Sequence, residues 1–250
     1  MSAFDTNAGQ FDRHRALPDG VPEAIRRAIL GEFAAPRPRL LDLGAGSGRV
    51  GWTFIAAGDD YVAVDLSFGM LTAFAARGAT MLAQADGGLL PFADDSFDAV
   101  LMVQVFGGLD RWRDVIDDAR RVLRPGGALI FGRTIRPDDG IDARMKHRLK
   151  SILGNRGVER RAQNTRRQAE EHLDTVAGSV TTRVAAQWSA ETSPRDFLER
   201  HSGGARFAQL PAAEREDALR ALANWARTEF GALDAMQRER QQFELRLYRF

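Results

Sequence analysis

The chain has 250 residues, 44% of them apolar, enough to bury one sizeable core with an elaboration attached. Its formal net charge of +1 gives no global pull toward nucleic acid or an anionic membrane. Cysteine is absent, which excludes disulfides, a thiolate nucleophile and a cysteine-type metal site. The N-terminal residues show no basic stretch followed by an apolar core, and no run of about 18 apolar residues occurs anywhere. A cytoplasmic protein without membrane or metal partners is expected.

Residues 1–20 are polar and read as irregular, with Pro18 and Gly20 marking a turn. A helix is expected over 21–34, with Pro22 in its first turn and an apolar stripe through Val21, Ile25, Ile29 and Phe33. Leu40, Leu41 and Leu43 then form the apolar run of a buried parallel strand. It leads into Gly44-Ala45-Gly46-Ser47-Gly48, a turn in which the backbone can approach a ligand, with a helix beginning at Arg49 or Val50. The amino end of that helix presents unpaired N–H groups and a positive dipole. The stretch reads as a nucleotide-type site. It does not follow the dinucleotide spacing G-x-G-x-x-G, because the sixth position from Gly44 is Arg49.

A second strand is expected over 61–65, ending in Asp65, where a carboxylate can accept hydrogen bonds from both ribose hydroxyls of an adenosyl group. Ser67 is available to cap the next helix, which runs from Met70 to Ala76 and leaves Asp65 for the ligand. A third strand over 80–85 precedes Asp86-Gly87, and a continuously apolar fourth strand spans 99–105. Trp112, Val115, Ile116, Ala119, Val122 and Leu123 mark one face of a helix from 112 to 123. Arg124-Pro125-Gly126-Gly127 reads as a turn before a fifth strand over 128–132.

Four ordered features carry a resemblance: Asp42-x-Gly44-x-Gly46-x-Gly48, Asp65, the run from Asp86 through Leu90-Pro91-Phe92 to Ser96-Phe97-Asp98, and Leu123-Arg124-Pro125-Gly126-Gly127. Over residues 40–132 the chain resembles class I S-adenosylmethionine (SAM)-dependent methyltransferases, in particular the branch similar to ubiquinone- and menaquinone-biosynthesis enzymes. The resemblance implies SAM as cofactor and a Rossmann-like three-layer α/β sandwich. Its mostly parallel seven-stranded sheet would have an antiparallel last strand and late helical insertions. It implies a cofactor site drawn from Arg15, Asp42, Gly44, Ala45, Gly46, Gly48, Asp65, Leu66, Met70, Ala85, Asp86, Gly87, Gln104 and Phe106. In that set Asp86 meets the adenine amino group, the backbone at Gly87 meets a ring nitrogen, and Arg15 or Arg13 meets the methionyl carboxylate. The histidine-bearing loop common after the fourth strand is replaced here by Phe106-Gly107-Gly108-Leu109. The candidate bases are therefore His14, His201 and Asp110. The lack of cysteine excludes carbon-5 methylation of pyrimidines through a covalent enzyme adduct.

Beyond Thr134 the resemblance thins. Residues 1–135 are read as the SAM-binding core with an N-terminal arm, and 136–250 as the completion of the sheet plus a helical cap over 141–178 and 194–240. The remaining strands are expected near 180–189 and 243–250. Ser193-Pro194-Arg195-Asp196 has the form of a capping box, and a further helix from Pro211 carries Leu219, Leu222, Ala226, Phe230 and Leu233 on one stripe. Residues 133–167 contain 11 Lys and Arg against 4 Asp and Glu. No aromatic residues interleave with those arginines to stack bases, so the segment reads as a solvated helical face. Methyl transfer to a small organic acceptor is the expected function. The alternatives are a SAM-binding protein that does not methylate, and an RNA methyltransferase using the basic segment.

Overall fold

A computed structural model describes residues 17–106, 109, 111–154, 159–202 and 211–250, apart from the side chains of 159–164 and 202. The elements in chain order are α1 (Val21–Leu30), β1 (Leu40–Leu43), α2 (Trp52–Ala56), β2 (Tyr61–Asp65), α3 (Phe68–Ala75), β3 (Leu82–Gln84) and β4 (Phe97–Val103). They continue with α4 (Trp112–Arg121), β5 (Leu123–Ile135), α5 (Ile141–Leu153), α6 (Glu159–Val176), β6 (Ser179–Thr192), α7 (Pro194–Ser202), α8 (Ala212–Phe230) and β7 (Gln237–Arg249). The seven strands form one sheet in the order β3-β2-β1-β4-β5-β7-β6, mostly parallel with an antiparallel last strand, as expected. Leu40 pairs with Tyr61 on one side and with Ala99 on the other, so β1 is central.

Burial follows the sequence pattern. All four residues of β1 are buried. In α4, Trp112, Val115, Ile116 and Ala119 are buried at helical spacing, and they pack with Leu41, Leu43, Val100, Met102, Leu129 and Phe131 of the sheet. Removing this apolar surface from water is the main driving force for the layer.

Several boundaries differ from the reading of the sequence. Helix α2 starts at Trp52, since the chain needs Arg49 to Gly51 to leave the glycine turn. Helix α4 stops at Arg121 because Leu123 already pairs with Phe97 in β5. The Arg124–Gly127 segment is thus an irregularity inside β5, between the Phe97 and Ala99 pairings, with Gly126 at φ 78°. Strands β6 and β7 run 14 and 13 residues, longer than expected. In β7 the inward positions of the extension are the polar Glu239 and Gln241, so the two-residue period is present without its apolar signal.

The chain divides into two compact units. Unit 1 comprises residues up to Arg133, Asn164–Ala186 and Phe243–Phe250, and it holds the parallel part of the sheet with α1 to α4. Unit 2 comprises Thr134–Gln163 and Gln187–Gln242. Its core is Ile141, Met145, Leu149, Phe197, Leu222, Ala226 and Leu233, drawn from α5, α7 and α8 and the turn after α8. At the start of α7 the Ser193 amide donates to Asp196 at 2.8 Å and the Asp196 amide donates to the Ser193 hydroxyl at 3.2 Å, the reciprocal capping expected there.

Candidate cofactor site

The site is built at the carboxyl ends of β1, β2 and β4 in unit 1. The chain leaves β1 through Gly44, whose amide donates to the Val64 carbonyl of β2 at 2.8 Å. Gly44 and Gly48 both hold φ 78°. A Cβ on Gly44 would strike the Val105 side chain beyond β4, and one on Gly48 would enter the Phe74 ring of α3. Both positions therefore require glycine for conformation and for space. Between them, the Gly46 amide donates to Asp65 Oδ2 at 2.8 Å, which joins the glycine loop to the end of β2.

Asp65 also accepts from the Ser67 amide, through Oδ1 at 2.8 Å. Ser67 caps α3 as anticipated, its hydroxyl accepting from the Met70 amide at 3.3 Å. The cap does not leave Asp65 without contacts; the carboxylate is oriented by two backbone amides. Each carboxylate oxygen retains lone-pair capacity for a ligand hydroxyl. Leu66 and Phe68, the residues beside this carboxylate in sequence, are 62% and 66% exposed. Leu89, three residues past Asp86, is likewise exposed. An oriented carboxylate with open apolar side chains near it suits a ribose carrying a flat apolar base.

Asp42 lies beneath the loop rather than on its surface. It is 3% exposed, its Oδ2 accepts from the Tyr61 hydroxyl, and its Oδ1 is buried with no hydrogen-bond partner among the described residues. Burial pushes its carboxyl up to about 7, against the opposing effect of the Tyr61 hydrogen bond. Met70 is 4% exposed and packs in the core, and Phe106 is 5% exposed with its ring edge-on to Phe131 at 4.7 Å. Met70 and Phe106, both in the implied cofactor set, thus have side chains packed inward. The reason is the same for both: an apolar side chain beside the sheet finds more partners inward than outward.

Asp86 accepts from the Gly88 amide at 2.9 Å, closing its own turn, and Arg111 lies 3.5 Å from its other oxygen. Gly87 is set close under this turn: a Cβ there would come within 3.1 Å of Leu43 and 3.3 Å of Val115. Ala45 and Ala85 take part through their backbone, donating to Val64 O at 3.1 Å and to Asp65 O at 3.3 Å. Gln104 has φ 56°, an uncommon conformation for a side chain-bearing residue and one that clusters at functional sites. Its Oε1 accepts from Arg49 Nη2 at 2.9 Å. Arg49, in the sequence only the residue that breaks the dinucleotide pattern, is thereby placed beside the glycine loop. Its position directly after the third glycine was the available signal.

Arg13, His14, Arg15 and Asp110 lie outside the described residues. His201 is in α7 of unit 2, stacked on Phe197 at 3.9 Å, with its Nδ1–H donating to the Phe197 carbonyl at 2.8 Å. Burial holds its imidazole down at about 4. It is a half-buried histidine packed on Phe197, neutral at pH 7. Within the basic segment Arg133 pairs with Glu244, Arg144 with Glu229, Lys146 with Asp142, Arg166 with Glu170 and Arg167 with Glu171. A separate cavity of about 470 Å³, lined by Asp95, Arg121, Arg124 and Phe250 among others, opens at the amino ends of β4 and β5. That is the opposite end of these strands from the glycine loop, and Arg121 and Arg124 are already engaged there by Asp94, Asp118 and Asp98.

The strand order, the glycine loop after β1 and the oriented carboxylate after β2 define a Rossmann-like α/β domain of the methyltransferase type. Residues 41–131 match the family model described as a methyltransferase domain. The chain is 33% identical over 140 residues to a demethylmenaquinone methyltransferase of Renibacterium salmoninarum, covering 55% of this chain and 59% of that protein. It thus spans little more than half the length of the curated relatives it matches. Among solved structures it is similar to the YcgJ protein of Bacillus subtilis, with a TM-score of 0.56 at 18% identity, covering 91% of this chain and 99% of that one. It is also similar to phosphoethanolamine N-methyltransferase 2 of Haemonchus contortus in complex with SAM. That match has a TM-score of 0.53 at 17% identity and covers 98% of this chain and 57% of the other. These two structures share the fold.

Proposed function

We propose that the protein transfers the methyl group of SAM to a small organic acceptor. The observation that carries this reading is Asp65, fixed by the Gly46 and Ser67 amides at the end of β2 beside the exposed Leu66 and Phe68. In this reading Asp65 receives the ribose hydroxyls, Leu66 covers one face of the adenine, and the turn at Asp86 and Gly87 receives its edge. The glycine loop lies along the methionyl portion, and the positive charge of the cofactor favours the ionised form of the buried Asp42 carboxyl beneath that loop. SAM supplies a sulfonium leaving group. The acceptor atom forms its new bond to the methyl carbon as the carbon–sulfur bond breaks, and a protonated acceptor releases its proton.

The task left to the protein is chiefly to align the two reactants and exclude water; orientation can supply about 7–11 kcal/mol of such a barrier. A base is needed only when the acceptor holds its proton, and it must lie within hydrogen-bond reach. The contact of His201 Nδ1 with the Phe197 carbonyl and the stacking of its ring on that side chain support a structural role. Replacing His201 by Gln is therefore expected to change turnover much less than loss of Asp65; a loss approaching 10⁴-fold, the upper end for general-base removal, would contradict this.

The direct test is calorimetry with SAM, S-adenosylhomocysteine and NAD. The parent should bind the first two and not NAD. Asp65→Ala should weaken SAM by about 1–3 kcal/mol, the scale for losing charge-assisted hydrogen bonds. NAD bound more tightly than SAM would overturn the cofactor. SAM binding with no S-adenosylhomocysteine formed on a broad panel of small acceptors would favour a binding protein instead.

A further inference from the structure

We propose that unit 2 contains a binding site for a small carboxylate that carries an amino or hydroxyl group, centred on Arg136 and Glu239. Arg136 follows β5 directly, and its Nε is buried without a hydrogen-bond partner. Among the described residues it forms no ion pair, although Asp142 and Glu239 both act on it electrostatically. Asp142 is engaged by Arg200 Nη2 and Lys146 Nζ, each at 2.6 Å, and is not ion-paired with Arg136. Glu239 is 6% exposed; its Oε1 accepts from the Ile141 amide at 2.7 Å, while its Oε2 is buried with no partner. Gly140 permits this approach, since a Cβ there would come within 2.6 Å of the Glu239 carboxylate.

Arg136 is half-buried, and a guanidinium does not discharge by losing its proton, so its buried Nε–H without an acceptor costs free energy until one meets it. The cluster holds three cations, Arg136, Lys146 and Arg200, against two carboxylates, Asp142 and Glu239. A neighbouring His201 is neutral. The excess charge is positive, and the open cation is an arginine, whose planar fork matches a carboxylate. A bare anion would satisfy Arg136 but leave Glu239 Oε2 open and set negative charge near it. A molecule with a carboxylate for Arg136 and an N–H or O–H for Glu239 satisfies both buried atoms. Amino acids and hydroxy acids have this chemistry.

Thermal unfolding with glycine, lactate, acetate and lactamide tests the site without any acceptor or methyl-transfer assay. Glycine or lactate at ten times its Kd should raise Tm by roughly 3–5 °C. Acetate should raise it less and the uncharged lactamide not at all. Arg136→Gln should leave the ligand-free Tm unchanged or higher, because a buried Nε–H without an acceptor is gone, and should abolish the response to glycine and lactate. Glu239→Gln should narrow the gap between glycine and acetate. A parent Tm indifferent to all four compounds, or an Arg136→Gln protein that responds like the parent, overturns the site. Equal responses to acetate and glycine overturn the role given to Glu239.

Discussion

Gly48→Ala should destabilise unit 1 by roughly 2–5 kcal/mol, the sum of a left-handed backbone penalty of about 1–2 kcal/mol and an overpacking cost of about 1–3 kcal/mol. Gly48 sits at φ 78°, and the added methyl group would enter the ring of Phe74, a fully buried residue whose ring is edge-on to Tyr61 at 6.3 Å. The backbone part of the penalty belongs to Gly48 alone, whereas the packing part is shared with Phe74. Phe74→Leu in the same chain should therefore be less destabilising than the two single changes added together. Denaturant unfolding of the parent, the two single variants and the double variant measures that coupling. Strict additivity would show that the backbone term carries the whole effect. The same substitution should lower SAM affinity, because the loop that holds Gly46 against Asp65 is anchored at its far end by Gly48.

The parts legible in the sequence are those where one physical requirement leaves one residue type. The glycine loop is such a place, since positive φ and the contacts with Val105 and Phe74 admit no side chain at Gly44 and Gly48. Strands β1 and β4 are another, because burial on both faces demands continuous apolar runs. Ser67 was readable as the cap of α3, and Asp65 as the end of β2. The cofactor list is less sharp in its apolar members, since the sequence does not say whether Met70 or Phe106 faces a cleft or the core; packing turned both inward. The extension of β7 was hidden because Glu239 and Gln241 occupy positions where the alternation calls for apolar residues. Polar residues are buried there because they have a task in unit 2, namely holding the Ile141 amide in the case of Glu239. The bond from Arg49 to Gln104 spans 55 residues and has no local signature at all.

Asp42 makes the stability of unit 1 fall as pH rises. Its carboxyl lies at about 7 in the folded chain, pushed up from 3.8 by burial, with Tyr61 opposing the shift and the nearby Asp65 charge adding to it. A group whose folded value is raised contributes its full stabilisation below the unfolded value and loses it as pH rises through the folded one. The loss should therefore develop from about pH 4 to pH 7 and reach on the order of 4 kcal/mol. His201 works in the opposite sense over an overlapping window. Its folded value is held down at about 4 from 6.5, so its contribution is complete above the unfolded value and is lost as pH falls from 6.5 toward 4. The parent's pH profile is the sum of these opposing slopes, and a nearly flat curve is expected between pH 4.5 and 7. Asp42→Asn keeps the shape and the acceptor for the Tyr61 hydroxyl while removing the titration. The stability of this variant should rise across the same window, exposing the His201 slope. Urea unfolding at pH 4.5, 5.5, 6.5 and 7.5 supplies the comparison, and parallel curves for parent and variant would show that Asp42 does not titrate there. In the proposed cofactor pose, SAM brings a sulfonium and an ammonium to the loop above this carboxylate and should favour its ionised form. Binding at pH 6.5 should then release protons in the parent and release fewer in Asp42→Asn, which calorimetry in buffers of different ionisation enthalpy reads directly.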